Sequence, residues 1–404
     1  MRTQKACGII IEYNPMHNGH IYHLKSTHNL TCPDHIIAVM SGNFVQRGQP
    51  AILDKFARTK AAILCGVDMV IELPAVYSTA SAEAFAYAAC YLLDATNIVD
   101  SICFGSEHGN INELLTLAHL LINESEHYKL ALKKHLKTGV SFPSARMLSI
   151  KEIYPKIADI IKQPNNILAI EYLKAINSQK LNLKPFTITR TGGSHNADKI
   201  LKGYASAKTI RHHISQHKDI FKLLPYMPKA SFNELSNACN NLSINTLDNY
   251  SDILHYILKS TKKEDLKAIS GISEGMEGRI IYAAKNLYSI TDILDLAKTK
   301  RYTYTALSRA VLHIILSIKK SEALEKPQYI RVLGVKKEKR ELLSKLNNNA
   351  CLPVIINPKD IAKLPKKAQN QIQKELYASE IYNLGLKPNK QKETSELSEP
   401  LIVV

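Results

Sequence analysis

The chain has 404 residues, 45% of them hydrophobic and 22% charged, and a formal net charge of +17. This composition excludes a disordered or fibrous chain, and no run of about 18 apolar residues is present to cross a membrane. The charge is uneven, +4 over residues 1–200 and +13 over 201–404, which points the second half at a polyanion such as nucleic acid unless it is a solvated Lys-rich surface. The 7 cysteines are scattered and none forms a CxxC pair, as expected of reduced thiols in a cytoplasmic protein. The N-terminal apolar run is too short for a secretory signal.

The first 110 residues alternate strand and helix patterns. Ala6 to Glu12 reads as a strand buried on both faces, followed by a helix from Asn18 to about Asn29. His35 to Met40 is a second strand, Ala51 to Cys65 a helix stopped by Gly66, and Asp68 to Leu73 a third strand closed by Pro74. An Ala-rich helix over Ser81 to Leu93 leads to a fourth strand, Ile98 to Phe104. Residues 110–180 read as helices, Lys184 to Thr191 as a strand, and 192–196 as a polar Gly-rich loop containing His195. Helical patterns return from about 215 to 320. The segment 327–357 reads as strand–helix–strand, and the tail 386–400 is polar and expected to lack structure. The fold class is α/β: an N-terminal doubly wound parallel sheet followed by a mainly helical region with a small α/β unit. Domain limits fall at 1–215, 216–325, 326–385 and a tail 386–404.

The chemistry concentrates at His17-Asn18-Gly19-His20. A buried strand ends at Asn14-Pro15, and two imidazoles one helical turn apart open the next helix. Such a helix end offers backbone N–H groups and the positive end of the dipole to an anion, and Gly19 lets a phosphate approach. In an open parallel sheet ligands also bind beyond the carboxyl ends of the strands. A metal site and a pair of capping or core histidines are the competing readings. The first lacks a carboxylate or Cys at ligand spacing, and the second leaves Gly19 unexplained. A second cluster, Ser206-Ala207-Lys208-Thr209-Ile210-Arg211, gathers hydroxyls, N–H groups and a cation at a helix start, either for phosphates or as an ordinary N-cap with a solvated Arg. Lys55, Arg58 and Lys60 read as a solvated helix face, with phosphate contact as the lesser alternative. His195 reads as a surface residue, with an approach to the acyl or cytidine site as the alternative, and His212, His213 and His217 as partly exposed surface rather than a metal cluster. Lys298, Lys300, Arg301, Tyr302, Tyr304 and Arg309 form a basic and aromatic patch of the kind that neutralises phosphates and stacks on unpaired bases. Gly271 to Gly275 with Arg279 reads as a backbone-contacting turn, and the run Lys336, Lys337, Lys339, Arg340 as a solvated face.

His17-Asn18-Gly19-His20 fits the HxGH signature of the nucleotidyltransferase superfamily. The longer string GIIIEYNPMHNGHIYHL (Gly8–Leu24) resembles the bacterial tRNA(Met) cytidine acetate ligase family. Further matches are SGNFVQRGQPA (Ser41–Ala51), DKFARTKAAILCGVDMVIELP (Asp54–Pro74), FGSE (Phe104–Glu107), NNILAIEYLKAI (Asn165–Ile176), ITRTGGSHN (Ile188–Asn196), YASAKTIR (Tyr204–Arg211) and KRYTYTALSRAVLHIIL (Lys300–Leu316). Met16 stands where Phe is usual, an apolar exchange. The resemblance implies that ATP and acetate form acetyl-adenylate and pyrophosphate, and that the acetyl group passes to N4 of the wobble cytidine, C34, of elongator tRNA(Met). It implies catalytic roles for His17 and His20. It also implies an ATP site formed by Gly8, Ile9, Ile10, Ile11, Glu12, Tyr13, Asn14, Pro15, Met16, His17, Asn18, Gly19 and His20, with Gly105, Asn166 (or Asn165), Arg190, Ser206 and Arg211. Mg2+ is expected with ATP, its ligands unassigned. Lys300, Arg301, Tyr302 and Arg309 are the expected tRNA contacts, and no membrane partner is expected. The alternatives are a small-molecule nucleotidyltransferase of the same fold, which would not need the long basic region, and a non-catalytic RNA-binding module, against which the intact His17, Gly19 and His20 speak.

Overall fold

The computed structural model describes residues 5–155, 157–190, 203–216, 219–241, 243–386 and 396–404. Its main sheet is built from β1 (Ala6–Ile11), β2 (His35–Ser41), β3 (Met69–Leu73), β4 (Ser101–Ser106), β5 (Lys184–Thr189), β6 (Ile330–Val335), β7 (Val354–Ile355) and β8 (Ile402–Val403). The order across the sheet is β8-β6-β3-β2-β1-β4-β5, with β7 paired to β6. β3-β2-β1-β4-β5 is all parallel. The strand order reverses between β1 and β4, which leaves a crevice beyond their carboxyl ends.

Covering the sheet on both faces lets its central strands be near-continuous apolar runs. On one face Ile9, Ile11, Ile36, Ala38 and Met40 pack against Leu24 of α1 (Asn18–Thr31) and Ala62 and Ile63 of α2 (Lys55–Leu64). On the other, Ala6, Ile37, Val39 and Ile71 meet Phe85, Ala89 and Leu93 of α3 (Ala82–Ala95) and Ala169 and Leu173 of α4 (Pro164–Gln179). This second cluster continues through Leu254, Ile280 and Ile293 to Leu307, Val311 and Ile315 of α6 (Tyr304–Ile315), so the helical region shares its core with the sheet. A short helix, α5 (Ala207–Ser215), carries the second signature.

Two expectations are revised here. The segment 326–385 is not a separate α/β unit: β6 pairs antiparallel with β3, with Met69 opposite Val335, and extends the main sheet. The described part of the tail is also structured, because β8 pairs parallel with β6 and Glu396 enters the core. The lure for both is charge. Lys55, wholly buried, lies 2.6 Å from Glu396 and 3.5 Å from Glu375, and also bonds Glu72. Arg331 of β6 lies 3.1 Å from Glu72 and also bonds Glu396. Burial and the neighbouring carboxylates push the Glu375 carboxyl well above its usual range, opposed by Lys55. Lys55 and Arg58 are therefore not on a solvated face, whereas Lys60 remains near the surface, 2.8 Å from Glu234. Among the described residues no helix is long and apolar enough to cross a membrane.

Candidate active site

The turn after β1 is built around Tyr13, whose φ of 45° is costly for a non-glycine residue. Its buried ring packs 4.7 Å from His20. Asn14 accepts a hydrogen bond from the Ile52 N–H at 2.8 Å, and Ser231 donates to the Met16 carbonyl at 2.9 Å. Asn18 donates to the carbonyls of Gly203 at 3.0 Å and Pro225 at 2.9 Å. The loop before α1 is thus held by Ile52 and by the segment from Gly203 to Ser231.

The two histidines form a reciprocal cap. The Gly19 N–H donates to His17 Nδ1 at 3.1 Å, and the His17 N–H donates to His20 Nδ1 at 3.2 Å. The rings stack with centroids 3.8 Å apart. This is the geometry of a Ser-x-x-Glu capping box with imidazoles in place of hydroxyl and carboxylate. An Nδ1 that accepts leaves the proton on Nε2, so each ring keeps one N–H donor outside the cap. Burial first, then the charges of Arg190 and Arg211, lowers the His17 pKa to about 3. Burial, His17 and Arg190 hold His20 well below the usual range. Both rings are neutral donors at pH 7. The capping and anion-binding readings are therefore compatible, since one nitrogen serves each. The imidazoles take up the His17 and Gly19 N–H groups, so these two are not among the free backbone donors expected at the helix start. Gly19 also has a different reason: a Cβ there would lie 2.9 Å from His17 Cε1 and 3.0 Å from Nδ1.

Cations frame this end of the sheet. Arg58, buried, donates to the carbonyls of Glu12 at 2.8 Å, Ser41 at 3.0 Å, Leu53 at 3.0 Å, and also to Gly42. It neutralises the carbonyl ends of β1 and β2, where partial negative charge collects. Arg211 of α5 donates to the Asn14 carbonyl at 2.6 Å, which joins the two signatures. Burial brings its pKa down to about 10. Ser206 caps α5 by accepting from Thr209 N–H at 3.1 Å. At the ends of β4 and β5, the Arg190 side chain crosses Gly105, whose Cβ would stand 3.1 Å from Arg190 Cγ. Glu12 Oε1 accepts from the Gln46 N–H at 2.7 Å. Among the described residues no three His, Cys, Asp or Glu side chains cluster as a metal site.

A model of the HIGH nucleotidyl transferase family matches residues 4–397. The chain belongs to that family. It is 41% identical over 387 residues to the tRNA(Met) cytidine acetate ligase of Thermoanaerobacter sp. (strain X514), covering 94% of this chain and 95% of that protein. The Clostridium perfringens protein of the same name is 38% identical over 409 residues, covering 98% of each. The fold matches a Thermotoga maritima TmcAL crystal structure bound with alpha-thio ATP at a TM-score of 0.91 and 33% identity, covering 99% of both chains. The apo form of that protein gives a TM-score of 0.93 at 32% identity. The chain is thus also a member of the tRNA(Met) cytidine acetate ligase family.

Within this HIGH nucleotidyl transferase fold, Glu12 to His20, Gly105, Arg190, Ser206 and Arg211 come together at the carboxyl end of the sheet. Gly8, Ile9, Ile10 and Ile11 lie inside β1, and Gly8 faces Leu93, 2.8 Å from where its Cβ would be. Asn166 is 2% exposed with its amide fully committed: it accepts from the His108 N–H at 2.9 Å and donates to the Ile160 carbonyl at 2.8 Å. Asn165 donates from Nδ2 to Glu107 at 2.6 Å, and the Asn166 N–H donates to Glu107 at 2.9 Å. The pair ties α4 to the loop after β4. The loop 192–196 with His195, and His217, fall outside the described residues.

The tRNA patch divides. Lys300 and Arg301 are exposed, Arg301 lying 3.8 Å from Glu274. Tyr302 is not an available stacking ring: it is 7% exposed and its hydroxyl donates to the Glu274 carbonyl. The backbone at Arg309 lies against the loop between β2 and α2. Ser308 donates to the Gly48 carbonyl at 2.8 Å, and a Cβ on Gly48 (φ 76°) would stand 2.4 Å from Arg309 N. Sequence reasoning missed this loop and the buried roles of Arg58 and Lys55. The signals were the strings SGNFVQRGQPA and DKFARTKAAILCGVDMVIELP themselves.

Proposed function

We propose that the protein activates acetate with ATP to acetyl-adenylate and then acetylates N4 of C34 in elongator tRNA(Met). The observation that carries the first step is the reciprocal His17–His20 cap flanked by Arg190 and Arg211 at the strand-order reversal. Attack of a carboxylate oxygen on the α-phosphorus builds charge on the phosphate oxygens. The enzyme's work is placement and electrostatic stabilisation. Two neutral Nε2–H donors held by helix capping meet that charge without reorganising, and two arginines supply the counter-charge. Arg58 holds the β1 and β2 termini so that this geometry persists. His17, His20, Arg190, Ser206 and Arg211 are the proposed nucleotide contacts. Asn165 and Asn166 position the loop after β4.

Magnesium would supply charge neutralisation of the triphosphate. The absence of a three-ligand cluster among the described residues fits an ion that arrives on the triphosphate and keeps phosphate and water ligands. Lys300 and Arg301 support tRNA binding through phosphate contacts, in line with the +13 charge of residues 201–404. The names of the relatives favour this over the small-molecule nucleotidyltransferase reading. ATP–pyrophosphate exchange tests the first step: exchange that requires acetate supports it, and exchange that ignores acetate refutes it.

A further inference from the structure

Glu12 has the wrong sign for a triphosphate site, and its surroundings give it another task. It follows β1 directly, and its Oε1 accepts from the Gln46 N–H at 2.7 Å. Gln46 belongs to the loop whose Gly48 is bonded by Ser308 of α6, at 2.8 Å, and packs against Arg309. Glu12 therefore ties the turn that leads into His17 and His20 to the loop bonded by α6, the helix that follows Lys300 and Arg301 in the chain.

Acyl transfer to cytidine requires a base. The N4 lone pair is delocalised into the ring, and the attacking nitrogen must lose a proton as the new bond forms. The histidines cannot take it, because both Nδ1 atoms accept helix N–H groups and both Nε2 atoms carry protons. Glu107 is held by Asn165 and Asn166. Glu72, Glu375 and Glu396 are locked with Lys55 and Arg331.

We propose that Glu12 is the general base that accepts the N4 proton of the acceptor cytidine; this rests on the acetyl-transfer reading above. N4 attacks the carbonyl carbon of acetyl-adenylate, and the N–C bond forms. The bond from that carbon to the phosphate oxygen breaks, AMP leaves with the electron pair, and the N4 proton passes to the Glu12 carboxylate and then to water. Burial raises the Glu12 carboxyl above its usual range, while the Gln46 hydrogen bond and Arg47, Arg211 and Arg58 oppose this. Tyr172 faces it from α4. A carboxylate with a raised pKa is a stronger base.

The test supplies synthetic acetyl-adenylate with tRNA to the full-length protein, which bypasses ATP activation. Glu12→Gln keeps an oxygen for the Gln46 N–H and removes the base. The expected result is single-turnover transfer slowed at least about 100-fold, with tRNA affinity within about threefold. Glu12→Asp retains a carboxylate and should recover part of the rate and its rise with pH. Transfer by Glu12→Gln within threefold of the unmodified protein overturns the proposal, as does equal slowing in both variants, which would mark a packing role. If the unmodified protein transfers no acetyl group, the function reading fails instead.

Discussion

Gly19→Ala adds one methyl group where the structure leaves no room for it. The new Cβ would lie 2.9 Å from His17 Cε1 and 3.0 Å from Nδ1, so the imidazole must swing away. That breaks the 3.1 Å Gly19 N–H to Nδ1 bond and the 3.8 Å stacking on His20. Losing the cap costs about 1 kcal/mol, and replacing glycine by alanine in a helix returns up to about 1 kcal/mol. Net stability should stay within about 1 kcal/mol. Activity should not: displacing one aligned donor from developing phosphate charge costs about 100- to 1,000-fold. Urea unfolding and acetate-dependent ATP–pyrophosphate exchange on the same preparation separate the two. Exchange within threefold of the unmodified protein, at unchanged stability, would refute the claim that His17 must be held by its cap to act.

His17→Asn should preserve the helix cap but abolish exchange, measured alongside thermal unfolding. The acid limb of stability follows from the histidines. His17 at about 3, and His23 and His313 at about 4, bind protons less readily when folded than the ordinary 6.5. The unfolded chain therefore takes up more protons below pH 6.5, and stability should fall as pH drops from 6.5 toward 3, less steeply in His17→Asn. Lys55→Met strands buried carboxylates and should cost about 3–5 kcal/mol in urea unfolding; a loss under 1 kcal/mol would contradict the ion network. Lys300→Glu with Arg301→Glu should weaken tRNA binding and reduce its salt dependence, whereas Tyr302→Phe should cost about 1 kcal/mol of stability and leave filter-binding affinity unchanged.

The parallel half of the sheet was legible because its strands are continuous apolar runs separated by helices with ordinary stop signals. Ser81 and Ser206 read as helix starts and cap the helices that follow them. The antiparallel extension was not legible. Nothing local in Ile330–Val335 says which strand it will join, and its anchor, Arg331, finds Glu72 across 259 residues. Lys55 and Arg58 misled for the same reason: a cation on an amphipathic helix is assigned to water unless its distant carboxylates or carbonyl ends are known. At the site, the spacing of His17 and His20 placed two rings one turn apart, but their reciprocal use of Nδ1 needed coordinates. Tyr302 looked like a stacking ring beside Lys300 and Arg301, and tertiary packing buried it instead.

Elongator tRNA(Met) incubated with the protein, ATP and isotopically labelled acetate can be read by mass spectrometry of its nucleosides and of its anticodon nuclease fragment. Labelled N4-acetylcytidine is expected at C34 and should be lost in His20→Ala. Acetate-dependent pyrophosphate release with unlabelled tRNA, or label that persists in His20→Ala, would contradict it.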